Sequence, residues 1–175
     1  MENAVLHSLI TRRSVRRYKP DPVPQELLDQ VMEAGLYAAS GMGRQGSVIL
    51  QVTDKALRDR LMRLNAAVMG REDTDPFYGA PALLIVLSDR QYSTYLYDGS
   101  LVMGNMMNAA HALGLGSCWI HRAREEFDSL EGKELLRTLG IKGDYEGIGN
   151  LIVGYPDGDI PEAKPRREGR VFYAK

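Results

Sequence analysis

The sequence predicts an α+β fold, a single three-layer domain in which helices cover both faces of one central sheet. Three observations carry that prediction. Segments with a helical period alternate with segments of strand length along the whole chain. Residues 81–87, Pro-Ala-Leu-Leu-Ile-Val-Leu, form an apolar run of strand length, as a strand covered on both faces requires. The chain has 175 residues, 44% of them hydrophobic, which suits one core and not two.

The elements follow in order. Val5, Leu6, Leu9 and Ile10 mark a short amphipathic helix ending near Arg12. A basic stretch, residues 12–19, leads into a connector with prolines at 20, 22 and 24. Pro24 suits the first turn of a helix, where its missing N–H costs nothing. Leu27, Val31, Ala34 and Ala38 then line one face of a helix running to about Ala39. A glycine-rich turn, residues 40–46, precedes a strand over 47–52 that Thr53 or Asp54 ends. Leu57, Leu61, Leu64 and Val68 define the next helix, and residues 70–79 read as loop. After the 81–87 strand, residues 89–97 are the candidate for a mobile loop at the active site. Asp98 is placed to cap a central helix running to Leu113, apolar over much of its circumference. Gly114 and Gly116 end it, and residues 117–120 form a short strand. A small helix over 131–139 and a strand over 147–155 follow. From Pro156 the chain reads as an extended arm.

Composition excludes several functions. With 22 basic and 23 acidic side chains the net charge is −1, which argues against a nucleic-acid or membrane-surface protein. The one cysteine, Cys118, rules out an internal disulfide and fits a reducing compartment. No secretory leader and no bilayer-spanning run are expected, because the longest apolar region, residues 101–113, is broken by Gly104, Asn105, Asn108 and His111. A cytoplasmic protein is the expectation.

The chemistry-bearing motifs divide by context. Gly41-Met42-Gly43-Arg44-Gln45-Gly46 matches G-x-G-x-x-G, but a helix precedes it and a strand follows, the reverse of a dinucleotide fingerprint. The turn can still bring backbone close to a ligand. Residues 12–19 hold five basic residues in eight, which is either a solvated basic turn or an anion site built from arginine forks and Ser14. A second basic cluster, Lys164-Pro165-Arg166-Arg167, lies far away in sequence. His7, His111 and His121 show no metal-ligand spacing. Nothing beside Cys118 marks it as a nucleophile.

Taken in order, these segments resemble the nitroreductase family of FMN-dependent oxidoreductases along nearly the whole chain. Arg12-Arg13-Ser14-Val15-Arg16-Arg17-Tyr18 is similar to the family's opening R-R-S-x-R-x-Y, and Ala38-Ala39-Ser40-Gly41-Met42-Gly43-Arg44-Gln45 to its A-P-S-x-x-N-x-Q turn. Gly79-Ala80-Pro81 looks like the entry to its second strand. Asp98-Gly99 with Gly114-Leu115-Gly116-Ser117-Cys118-Trp119-Ile120 resembles the D-x-G and G-L-G-x-C-W-I block, and Gly154-Tyr155-Pro156 and Pro165-Arg166-Arg167 the closing signals.

The resemblance implies a central mixed sheet and a homodimer with FMN at the subunit interface. It implies NADH or NADPH as electron donor and a small acceptor such as a nitroaromatic, a quinone or a flavin. Arg12 and Ser14 would hold the FMN phosphate, Arg13 would contact the ribityl–phosphate region, and Arg16 would lie near the pyrimidine end. Ser117, Cys118, Trp119 and Ile120 would pass beside the isoalloxazine. Ser40, Gly41, Met42, Gly43 and Gln45 would come from the second subunit, and Arg166 and Arg167 would close the phosphate site from the arm. No catalytic side chain is implied, because the flavin carries the chemistry. The chain departs from the pattern where the family proline is Ala39, its asparagine is Gly43, and its proline-tryptophan is Gly46-Ser47. An FMN-binding sensor or carrier of the same fold is the alternative expectation.

Overall fold

The computed structural model describes residues 3–174. Helix α1 (Ala4–Thr11) opens the chain, capped by the Asn3 side chain on the Val5 and Leu6 amides. Helix α2 (Gln25–Leu36) starts directly after Pro24. A single 3-10 turn (Gly41–Gly43) precedes strand β1 (Ser47–Val52). Asp54 caps helix α3 (Lys55–Met69) through the Leu57 amide, and Gly70, with φ of 69°, ends it in the left-handed region glycine favours. Strand β2 (Ala82–Asp89), helix α4 (Tyr95–Ala112), strand β3 (Gly116–Ile120), helices α5 (Ala123–Asp128) and α6 (Leu130–Thr138), and strand β4 (Tyr145–Gly154) complete the order.

The strands lie in the order β1-β2-β4-β3. Even and odd residues of the sheet feed two separate cores. Ala82, Leu84, Val86, Leu151 and Val153 pack beneath α2 and α4 with Met103 and Met106. Leu83, Ile85, Leu87, Cys118 and Ile152 pack on the other face with Leu61, Phe77 and Phe127. Every position of β2 but Asp89 is buried, as its apolar run requires. The three-layer arrangement follows from that two-sided burial.

The structure differs from the sequence reading at four places. The expected mixed sheet is antiparallel in all three strand pairs, and a parallel pairing survives only as a bridge between Ser14 and Ser117. The cause lies in the connections. Helix α3 carries the chain away from β1 and loop 70–81 returns it to the same end, with Val52 opposite Leu83, so β2 enters antiparallel. Helix α4 starts three residues before Asp98, which sits in its first turn and not at its cap. The loop expected over 89–97 therefore shrinks to 90–94, and Arg90 ties it down through Asp128, Asp144 and Glu146. Helix α5 is too short for its period to show in the sequence.

Helix α1 is unusual for its exposure. Its apolar face, Val5, Leu6, Leu9 and Ile10, is 51–71% exposed, and the helix buries no residue. An amphipathic helix normally buries that stripe. The arm beyond Asp157 is exposed throughout, with Phe172 at 88%.

Candidate functional site

The basic stretch is laid along the outer edge of β3. Val15 N–H donates to the Ser117 carbonyl at 3.0 Å, and Lys19 N–H donates to the Tyr155 carbonyl at 2.9 Å. A bridge between Tyr18 and Pro156 and an Asp157–Arg17 ion pair at 3.3 Å fasten its far end. Val15 is buried against Gly116, where any Cβ would collide with the valine side chain. Close approach of this segment to β3 therefore depends on the glycine.

This edge concentrates unsatisfied polar atoms. Among the described residues six buried side-chain N or O atoms have no hydrogen-bond partner, and four belong here: Ser8 Oγ, Arg12 Nη1, Arg13 Nε and Ser117 Oγ. A buried polar atom without a partner costs about 1–3 kcal/mol, so a cluster of them marks a place built for a ligand. Arg13 is oriented by its Nη1, which donates to the carbonyls of Ile10 at 2.7 Å and Arg12 at 2.6 Å. His111 reports the local field. Burial, then the nearby charges of Arg12, His7 and Arg13, hold its pKa below the ordinary histidine value. Its Nε2 lies 2.9 Å from Thr11 Oγ1, which joins the end of α1 to α4.

Farther along β3 the side chains alternate. Cys118 is buried in the core shared with Phe127 and Ile152, away from any exposed surface. Trp119 is half-buried on the opposite face, and Gly149 leaves room for its indole, since a Cβ there would meet Nε1. Because the Ser117 carbonyl turns outward to Val15, the two-residue period turns the N–H of Trp119 to the same outer edge. Arg16, Trp119, Ile120, His121 and Arg122 line one side of a cavity of about 390 Å³, and loop 71–78 lines the other.

Not every candidate residue joins this site within one chain. Arg12, Arg13, Ser14, Arg16 and residues 117–120 come together. Ser40, Gly41, Met42, Gly43 and Gln45 lie beside the opposite edge strand and at the opposite end of the sheet. The register puts Ser47 level with Ser88 and Glu146, whereas Ser117 is level with Val153. That separates turn and phosphate edge by about 14 Å across the sheet and about 23 Å along it. The turn is nonetheless rigidly built. The Asp98 carboxylate accepts from Gly41 N–H at 3.0 Å and Thr94 Oγ1 at 2.9 Å, and Ser40 Oγ accepts from Gln45 N–H at 3.0 Å. Arg44 stacks on Tyr92 at 5.2 Å. Arg166 and Arg167 are exposed on the arm, and among the described residues Arg166 donates only to the Lys164 carbonyl. The sequence reading missed Asp98 as the anchor of the turn, and Arg71, His121 and Arg122 as cavity residues. Only the Asp98-Gly99 motif carried any signal for them.

The fold and this edge define an α+β protein that presents a cluster of unpaired arginine and serine donors beside a cavity on one edge strand. The chain belongs to the nitroreductase family: the family model matches residues 9–155. It is 27% identical to the FMN reductase [NAD(P)H] of Bacillus subtilis over 184 residues, covering 94% of this chain and 70% of that one. Among solved structures, a nitroreductase with bound FMN from Bacteroides fragilis superposes with a TM-score of 0.90 at 28% identity, over 99% of this chain and 100% of that chain. A nitroreductase with bound FMN from Desulfitobacterium hafniense superposes at 0.87 and 27% identity, with 100% of both chains covered.

Proposed function

We propose that the chain is an FMN-dependent oxidoreductase, passing hydride from NADH or NADPH through the flavin to a small acceptor such as a nitroaromatic, a quinone or a flavin. The observation that carries this reading is the cluster of unpartnered donors, Arg12 Nη1, Arg13 Nε and Ser117 Oγ. A phosphate brings several acceptor oxygens and negative charge, which is what two guanidinium groups and a hydroxyl lack. Arg12 and Ser14 hold the phosphate, with Arg13 at its ribityl side. Arg16 stands farther along the same edge, where a cation stabilises charge at the pyrimidine end. The outward N–H of Trp119 serves the ring edge. FMN, when bound, supplies the two-electron chemistry, and the chain orients it and leaves one face open to the cavity.

The working unit in this reading is a homodimer with FMN between the subunits. Three features support it: the exposed apolar face of α1, the exposed arm ending in Val171, Phe172 and Tyr173, and the distance of the 40–45 turn from its own phosphate edge. Residues 1–175 form one domain with 156–175 as the arm, and Arg166 and Arg167 reach a phosphate only if the arm moves or crosses to a partner. Among the described residues no helix is long and apolar enough to cross a membrane. A cytoplasmic setting agrees with the free, buried Cys118.

A second reading keeps the fold and drops the turnover, as an FMN-binding sensor or carrier. Gly43, bare backbone where the family has asparagine, favours it. Anaerobic mixing of the FMN-loaded protein with NADH or NADPH, followed by a quinone, separates the two. Sustained turnover supports the enzyme, and bound FMN without reduction supports the sensor.

A further inference from the structure

The cavity beside Trp119 holds more positive charge than the flavin reading uses. Arg16, Arg71 and Arg122 all line it, and Asp75 is its one carboxylate. Asp75 is already committed. Its Oδ2 accepts from Arg58 at 2.9 Å and from Gly79 N–H at 2.8 Å, and its Oδ1 accepts from Phe77 N–H at 2.7 Å. Arg122 spends its Nε on a neutral partner, Asn65 Oδ1, at 3.0 Å, and forms no ion pair among the described residues. Neither Arg16 nor Arg71 forms an ion pair or a side-chain hydrogen bond among the described residues.

Arg71 is also held in place from its backbone. Its N–H donates to the Ala66 carbonyl at 3.0 Å, closing the end of α3 around Gly70. Its carbonyl accepts from Thr74 Oγ1 at 2.8 Å. The guanidinium is thus carried on a fixed turn at the wall of the cavity opposite Arg16 and residues 119–122.

We infer that this cavity selects an acceptor substrate bearing an anionic group, a carboxylate, sulfonate or phosphate on a small aromatic or quinonoid ring, with Arg71 as its chief counter-charge. The inference rests on the flavin reading in one respect: Arg16 is assigned to the cofactor, so Arg71 and Arg122 are the cations left for the substrate. A planar guanidinium matches a carboxylate or sulfonate through paired N–H donors. A neutral ring of the same size fills the cavity and does not gain the charge.

The test compares para-nitrobenzoate with its uncharged amide on the FMN-loaded protein, by the fluorescence of Trp119, the sole tryptophan, and by competitive inhibition of quinone turnover. The wild type is expected to bind the carboxylate about tenfold tighter than the amide, with the preference shrinking as salt is raised. In Arg71→Ala the preference falls to about threefold or less while affinity for the amide stays unchanged. Equal affinities in the wild type, or a preference that survives Arg71→Ala, overturn the inference. Flavin absorbance is read in the same samples. A protein that binds no FMN yet still prefers the carboxylate sinks the cofactor reading and keeps the anion site. A protein that binds FMN without discriminating sinks the anion site alone.

Discussion

Replacing Glu126 by glutamine should remove a pH dependence of stability that the wild type carries. Glu126 has no exposed surface, and Asn150 Nδ2 donates to its Oε2 at 2.7 Å. Its Oε1 and the Asn150 Oδ1 both lack partners. A proton on Glu126 removes the cost of burying its charge at this site. Burial pushes the carboxyl from the ordinary 4.5 up to about 7, against the opposing pull of the Asn150 hydrogen bond, the nearby Asn65 amide and the charge of Arg122; Glu125 adds to the rise. The unfolded chain releases this proton near the ordinary value, whereas the folded chain keeps it to about 7. In between, the folded state binds more protons, so stability falls as pH rises through that window, by about 3 kcal/mol in all. In E126Q the side chain is neutral at every pH and keeps an oxygen to accept from Asn150 Nδ2. Urea unfolding across that range should give equal stabilities for the two proteins at the acid end and a variant more stable by about 3 kcal/mol at pH ~8. All other titrations cancel in the comparison. Parallel stability curves for wild type and E126Q would refute the reasoning.

Three further outcomes follow from the site and the fold. Arg12→Ala should weaken FMN binding at least about tenfold in a flavin-fluorescence titration, since a charge-assisted bond is worth about 1.5–3 kcal/mol. Cys118→Ser should leave flavin reduction near normal, because the thiol is buried in the core away from the edge, while lowering thermal stability by about 1–2 kcal/mol for a hydroxyl placed among apolar neighbours. Ile10→Asp, at a position 71% exposed in the single chain, should leave the chain folded but shift it toward monomer in sedimentation, with loss of FMN.

The sequence exposed what depends on local pattern. The run of apolar residues announced the buried β2, and the bounds of β1 followed from the turn before it and from Thr53 or Asp54 after it. Long-range geometry was hidden. The order β1-β2-β4-β3 depends on where loop 70–81 returns the chain, and no spacing states that. Asp98 looked like a cap because an acid before an apolar run usually is one; its carboxylate instead reaches Gly41, 57 residues away. That Arg12–Ser14 lies beside Ser117 was implied by family resemblance and not by any periodicity. The meeting of Arg71 and Arg122 at Trp119 had no local signature, because each side chain on its own reads as a solvated surface charge.

The central claim is that this chain binds FMN at its Arg12–Ser117 edge and passes electrons through it. The most direct measurement is the visible spectrum of the purified protein after FMN is added and free flavin is removed, recorded without oxygen before and after NADH or NADPH. The protein is expected to be a dimer that retains flavin in proportion to protein and loses its visible band on adding the nicotinamide. A colourless protein that retains no flavin, with no change on adding either nicotinamide, would contradict it.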